Sequence, residues 1–309
     1  MKIAIIGAGA MGSLFGGRLA LAGEEVWLLD VWEEHVRTIN DKGLSIASPA
    51  GDIVARPKAT TRLEDIGAAE LAIIFVKSTA TANAAATAAA LLGPDTAVLT
   101  LQNGYGNAET IAAAVGAARV IAGTTAQGAT LLGPGRIMHG GSGETHIGEM
   151  GGGLTERLQK IAACLTKAGI TTIADDNVAS LIWGKLIVNV GINALTGITG
   201  LKNGELADHE ETRQVLAMAV EEAVRVADAA GVKLPYGNPV EKVLAVAVAT
   251  AQNRSSMLQD LSGGRMTEIE AINGALVREG ERFGVPTPVN RVLTLLIKAL
   301  EKLPRDNRQ

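Results

Sequence analysis

The 309-residue chain is expected to fold in two parts, an α/β domain on a doubly wound parallel sheet and then an all-helical domain. Three observations predict this. Short β-branched runs alternate with stretches of helical spacing through the first half. A glycine-rich turn directly follows the first of those runs, and beyond Asp176 only helical periodicity remains. The expected domains are therefore 1–176 and 177–309.

Residues 2–6, Lys-Ile-Ala-Ile-Ile, end at Gly7 as a buried parallel strand should. Helical spacing follows over 11–22, with Gly23 placed to end it. Residues 25–29 form the second strand, with Asp30 at its carboxyl end. A helix over 33–42 precedes a hairpin of 44–46 and 53–55 around Pro49 and Gly51. The apolar strand 71–76 ends at Lys77 and Ser78; an Ala-rich helix (79–92), a strand (97–101), a helix (107–115) and a strand (119–123) continue the alternation. A helix over 154–168 and a strand over 171–174 close the first domain. Helices over 178–198, 205–230, 238–251, 265–283 and 288–302 make the second, punctuated by Gly231, Pro235, Gly237, Pro286 and Pro288.

With 47% hydrophobic and 19% charged residues the chain has the balance of a globular protein. A formal charge of −4 without a basic stretch argues against nucleic acid as a partner. The single cysteine, Cys164, cannot pair within the chain and is expected to be a buried thiol. The first strand begins directly after Met1, leaving no room for a signal peptide, and the apolar stretch 186–201 is shorter than the ~20 residues of a span. The expectation is a cytoplasmic protein with no membrane partner. His35, His139, His146 and His209 are scattered without ligand spacing; no metal site is expected and these side chains are assigned to the surface.

Gly7-Ala8-Gly9-Ala10-Met11-Gly12 matches G-x-G-x-x-G. The first glycine permits a tight turn, the second lets a pyrophosphate approach the backbone, and the third lets helix pack on strand. With a strand before it and a helix after it, this loop predicts a Rossmann-type dinucleotide site. Asp30 stands eighteen residues past Gly12 (30 − 12), where a carboxylate accepts from the adenosine ribose and repels a 2′-phosphate. NAD(H) is therefore expected over NADP(H). The competing role for Asp30 is a helix cap or a solvated loop charge.

In the helical half, Lys185, Asn189 and Asn193 advance by about 400° per step and so share one helix face. A lysine inside Leu-Ile-Trp-Gly-Lys-Leu-Ile-Val is unusual, although a snorkelling side chain would also account for it. A second polar cluster holds Ser255-Ser256-Met257-Leu258-Gln259-Asp260, Arg265, Thr267-Glu268-Ile269-Glu270 and Asn273-Gly274. Thr267 or Ser262 could cap a helix and Glu268 could be a first-turn acid. No histidine lies near Ser256 in sequence, so a Ser–His–Asp system is not indicated.

Taken together, these segments resemble the ketopantoate reductases (2-dehydropantoate 2-reductases) over nearly the whole chain. The matching pieces are Gly-Ala-Gly-Ala-Met-Gly-Ser-Leu-Phe-Gly (7–16), Val-Lys-Ser (76–78) and Gln-Asn-Gly-Tyr-Gly (102–106). Further on they are Trp-Gly-Lys-Leu-Ile-Val-Asn (183–189), Asn-Gly-Glu-Leu (203–206), Ser-Ser-Met-Leu-Gln-Asp (255–260) and Thr-Glu-Ile-Glu (267–270). The resemblance implies reduction of a small anionic 2-keto acid, ketopantoate to pantoate, by hydride from a nicotinamide. It puts the family's catalytic lysine on Lys185 as general acid, and its substrate- and lysine-positioning residues on Asn189, Asn193, Ser256 and Glu268. Lys77 and Asn103 fall on the conserved cofactor-domain loops, and Asn203 on a further polar position near the substrate. It also allows a homodimer through the helical domain.

Family members that use NADPH carry a basic residue after the second strand, where this chain has Leu29-Asp30-Val31-Trp32. An NAD-dependent 2-hydroxyacid dehydrogenase of the same family is therefore the alternative activity. The 6-phosphogluconate and 3-hydroxyacid dehydrogenases share the two-part plan with a helix lysine and asparagine, but the segments at 255–260 and 267–270 favour the ketopantoate group. A non-catalytic NAD(H) sensor would be marked by loss of Lys185 or the asparagine face, and both are present.

Overall fold

The chain begins with β1 (Lys2–Ile6), whose last four residues are buried; it pairs in parallel with β2 (Glu25–Leu29) on one side and β6 (Ala69–Ile74) on the other. The computed structural model describes residues 1–49 and 51–303; residues 304–309 of the expected helical domain lie outside it. From β1 the sheet grows outward in both directions, through β2 to β5 (Lys58–Thr60), and through β6 to β7 (Leu92–Thr100) and β8 (Val120–Thr125). It ends in β11 (Thr145–Glu149) and β12 (Thr172–Ala174), in the order β12-β11-β8-β7-β6-β1-β2-β5. Only the β8–β11 pair is antiparallel. The reversal of strand order between β1 and β6 is the switch point at which doubly wound sheets bind ligands. The fold class expected from the sequence is the one found.

Helices α1 (Ala10–Leu21), α2 (Glu33–Lys42), α3 (Thr81–Ala89), α4 (Asn107–Val115) and α5 (Glu156–Lys167) complete this unit. Ala84, Ala85 and Ala88 of α3 are fully buried in one cluster with Ile74, Val98 and Ile111, so the alanine run serves close helix-to-sheet packing. Cys164 on α5 is partly buried, and burial pushes its thiol up to about 11, which leaves it protonated and inert.

A second sheet was not foreseen. It orders β4 (Ile53–Ala55), β3 (Leu44–Ala47), β10 (Arg136–Gly141) and β9 (Gly128–Gly133), and contains the expected hairpin of 44–46 with 53–55. Strands β9 and β10 carry glycines and one exposed face, so neither shows the apolar run or clean alternation that marks a strand.

The helical unit contains α6 (Val178–Thr199), α7 (Glu205–Asp208), α8 (Glu210–Ala229), α9 (Pro239–Ala249), α10 (Ser256–Ser262), α11 (Asn273–Phe283) and α12 (Pro288–Lys302). The expected helix 205–230 breaks at His209, whose backbone is extended (φ −105°, ψ 132°). The expected helix 265–283 begins only at Asn273, after a short 3-10 turn, Ile269–Ala271. The cause is upstream: Gly264 takes φ +64°, and both the backbone N–H and the hydroxyl of Thr267 donate to Glu301 of α12. Helix α10, capped by Ser255 Oγ accepting from Leu258 N, was not anticipated.

Helix α6 is 22 residues long, so the length argument from 186–201 fails: by length and composition it could cross a membrane. Trp183, Ile187, Val190 and Ala194 are buried in the helical core, as befits a core helix. A Cβ on its Gly191 would meet Val243 Cγ1 at 2.8 Å and Val220 Cγ2 at 2.9 Å, which explains a glycine that costs about 1 kcal/mol in a helix interior. By packing, Met1–Gln102 with Asn107–Val178 form the sheet unit, whereas Asn103–Gly106 group with the residues from Ala179 onward.

Candidate active site

In the sheet unit the loop after β1 has the geometry a dinucleotide needs. Gly7 takes φ +94°, and a Cβ on Gly12 would lie 1.9 Å from the Gly7 oxygen, so helix α1 starts hard against the turn. At Gly9, which caps α1, a Cβ would meet nothing within 4 Å. No side chain caps α1 and its first turn holds no acid, so its leading amides face the space beside Gly9 without a built-in anion. Residues Gly7, Ala8, Gly9, Ala10, Met11 and Gly12 thus form a cradle that fits a pyrophosphate.

Asp30 follows β2 and is bound on both oxygens: Oδ2 accepts from Ala8 N at 2.7 Å and Oδ1 from Trp32 N at 3.0 Å. Each oxygen keeps a lone pair, which suits a ribose diol. Lys77 is exposed in the loop after β6. Beside it, Gln102 Nε2 donates to Val76 O at 2.8 Å and to Thr81 Oγ1 at 2.9 Å, joining the loops after β6 and β7.

The helical unit holds the remaining residues. Lys185, Asn189 and Asn193 follow one another on α6 at four-residue steps; Lys185 and Asn189 are partly buried and Asn193 is buried. Glu268 is buried, immediately before the 3-10 turn, and Asn103 Nδ2 donates to its Oε2 at 3.5 Å. Asn203, beside α7, is buried; its Nδ2 donates to Thr250 Oγ1 at 2.9 Å, while its Oδ1 has no partner among the described residues. Ser256 is exposed at the start of α10.

Electrostatics link Lys185 and Glu268. Burial disfavours the charged ammonium and draws Lys185 from the ordinary 10.5 down to about 8, while the carboxylate of Glu268 pulls it back up. An amine poised there gives and takes a proton near neutrality. A lysine influenced by a buried carboxylate, on a helix face with two amide side chains, can donate a proton to a developing alkoxide and hydrogen-bond a small polar anion.

The chain matches known proteins over nearly its whole length. The family model for ketopantoate reductase PanE/ApbA matches residues 3–152, and the model of its C-terminal domain matches 177–301. The chain belongs to the ketopantoate reductase family. Among relatives of this family, a 2-dehydropantoate 2-reductase of Halobacterium salinarum is 39% identical over 98% of this chain and 99% of its own. One of Pyrococcus horikoshii is 36% identical over 98% of each. A solved PanE/ApbA family ketopantoate reductase from Ralstonia eutropha superposes with a TM-score of 0.91 at 36% identity, covering 100% of both chains. D-mandelate dehydrogenase, solved with NADH and anilino(oxo)acetate, gives 0.90 at 33% identity over 97% of this chain and 98% of its own. The chain is thus an oxidoreductase of the nicotinamide-dependent kind.

Several supporting residues escaped the sequence reading. Thr196 and Ser255, hydrogen-bonded at 2.7 Å, tie α10 to the end of α6. Tyr236, its phenol pushed up to about 12 by burial, donates to the Gly184 carbonyl at 2.9 Å, one residue from Lys185. The assignment of the histidines to the surface holds for His209 alone: His139 and His146 are partly buried and His35 is fully buried. A first-turn helix position that follows two glutamates, as His35 does, reads as solvated, and packing against α1 and the β9–β10 turn covers it.

Proposed function

We propose that this chain reduces the keto group of a 2-keto acid with a nicotinamide dinucleotide, NAD(H) in preference to NADP(H), and that ketopantoate is its substrate. The observation that carries this reading is the Lys185 ammonium, drawn to about 8 on a helix face shared with Asn189 and Asn193 and acted on by Glu268. The bound dinucleotide supplies the hydride. Lys185 Nζ donates a proton to the oxygen on which negative charge develops. Glu268 holds that ammonium, and Asn103 orients Glu268. Asn189, Asn193, Asn203 and Ser256 bind the polar ends of the keto acid; the open acceptor of Asn203 suits a substrate hydroxyl. Gly7 to Gly12 hold the pyrophosphate, Lys77 and Asn103 serve the nicotinamide end, and Asp30 takes the ribose and repels a 2′-phosphate.

A second reading, an NAD-dependent 2-hydroxyacid dehydrogenase acting on a different acid, is favoured by Asp30 together with the likeness to D-mandelate dehydrogenase in complex with NADH. Absorbance at 340 nm tests both. Ketopantoate reduced with NADH supports the first reading; an inert ketopantoate beside turnover of an aryl 2-keto acid establishes the second. Turnover with NADPH alone overturns the assignment of Asp30.

A further inference from the structure

His35 lies in the first turn of α2 and is fully buried. Its ring nitrogens have different partners, and the partners fix the tautomer. Gly135 N–H, in the turn between β9 and β10, donates to Nδ1 at 3.0 Å. Nδ1 is therefore bare, and the proton of the neutral ring sits on Nε2, 3.2 Å from Ser13 Oγ. The Ser13 hydroxyl, also fully buried, donates in turn to the carbonyl of Ala8 at 2.7 Å. The chain of donors runs from Gly135 through His35 and Ser13 to the dinucleotide loop.

The same peptide segment is held from its other end, since Ala8 N donates to Asp30 Oδ2. Trp32, whose N–H binds the second Asp30 oxygen, stacks its ring on the imidazole at 5.3 Å between centroids and 9° between planes. Only glycine fits at 135: a Cβ there would lie 2.6 Å from Thr38 Cγ2 of α2, and its φ is +66°. Burial pushes the imidazole below the usual histidine range, partly offset by the charge of Asp30 and by the ring's own approach to the Ala8 backbone. Ser13, Gly135 and Trp32 carry no charge.

We propose that His35, acting through Ser13, is a positioning residue for the dinucleotide loop, its neutral Nε2–H ring fixing the Ala8 carbonyl so that the amides of the loop stay aimed at the pyrophosphate. The inference rests on the dinucleotide reading of that loop. It also gives a reason for a serine directly after the last glycine of the motif, where any small residue would satisfy the packing.

Equilibrium titration of the full chain by NADH fluorescence tests it. Ser13→Ala should weaken NADH binding about tenfold and raise the KM for NADH, leaving kcat at saturating NADH and the KM for the keto acid near wild type. Two further variants separate positioning from packing. His35→Gln retains a donor near the Nε2 position, whereas His35→Asn retains only an acceptor near Nδ1; NADH binding should be weakened more by the second. Equal losses in the two histidine variants, or Ser13→Ala binding NADH as wild type does, would overturn the proposal. Wild-type protein that binds neither NADH nor NADPH would bring down the dinucleotide reading and this inference together.

Discussion

Asn103 Nδ2 reaches Glu268 Oε2 at 3.5 Å across 165 residues of sequence. Two residues beyond Asn103 and three beyond Glu268, Tyr105 N donates to Ala271 O at 2.8 Å, so the short loop and the turn after Glu268 are fastened at two points. Gly104, between those points, takes φ +89°, and a Cβ there would lie 2.4 Å from the Ala271 oxygen. Gly104→Ala should therefore displace Asn103 from Glu268 and lower kcat about tenfold or more. Steady-state kinetics at saturating NADH checks this, and an unchanged kcat would show that the contact is dispensable.

Removing the amine should remove the proton donor. Lys185→Ala is expected to lower kcat by about 10²–10⁴-fold while NADH affinity stays near wild type. A loss confined to KM would assign Lys185 to substrate binding alone.

The pH dependence follows from the same amine. Reduction needs protonated Lys185, so its rate should fall as pH rises through about 8; oxidation of the hydroxy acid needs the neutral amine and should rise over the same range. Glu268 raises the Lys185 value, so Glu268→Gln should move both limbs to lower pH. pH–rate profiles in both directions read this out, and a limb that stays in place would separate Glu268 from the lysine.

Asp30 carries two backbone amides as well as its charge. Asp30→Asn removes the repulsion of a 2′-phosphate while keeping an acceptor for only one of those two amides, and should raise the ratio of NADPH to NADH efficiency about tenfold. Asp30→Ala frees the amides of both Ala8 and Trp32 and should weaken both cofactors further. Parallel titrations with NADH and NADPH distinguish the two effects.

The helical core hides a polar chain. Asn273 Nδ2 donates to Val190 O at 3.3 Å and to Asn290 Oδ1 at 2.9 Å; Asn290 Nδ2 donates to Glu222 Oε2 at 2.7 Å, and Glu222 also accepts from Val289 N and Asn290 N. Asn273 and Asn290 are fully buried and Glu222 nearly so. Asn290→Leu would leave several of these groups unpaired and should cost about 2–4 kcal/mol, read by urea unfolding. A loss within 0.5 kcal/mol, the ordinary range for surface substitutions, would mean that the chain contributes little.

Much of this was legible in the residue order because its causes are local. A glycine that must turn, a strand apolar along its length and a helix face repeating every four residues each leave a mark within a few residues. The tight turn at Gly7 and the shared helix face of Lys185, Asn189 and Asn193 are marks of that kind. Strands β9 and β10 leave none, because their glycines break the pattern and their pairing with β3 is nonlocal.

By itself the sequence determined the fold class, the alternation of strands and helices around the first sheet and the residue types offered for chemistry, since these follow from periodicity and turn geometry along one chain. Tertiary structure alone decided that Asn103 meets Glu268, that Lys185 is drawn toward neutrality, and that His35 is buried between Ser13 and Gly135 rather than at the surface. Those properties depend on desolvation and on partners far away in sequence, and neither exists until the chain has packed.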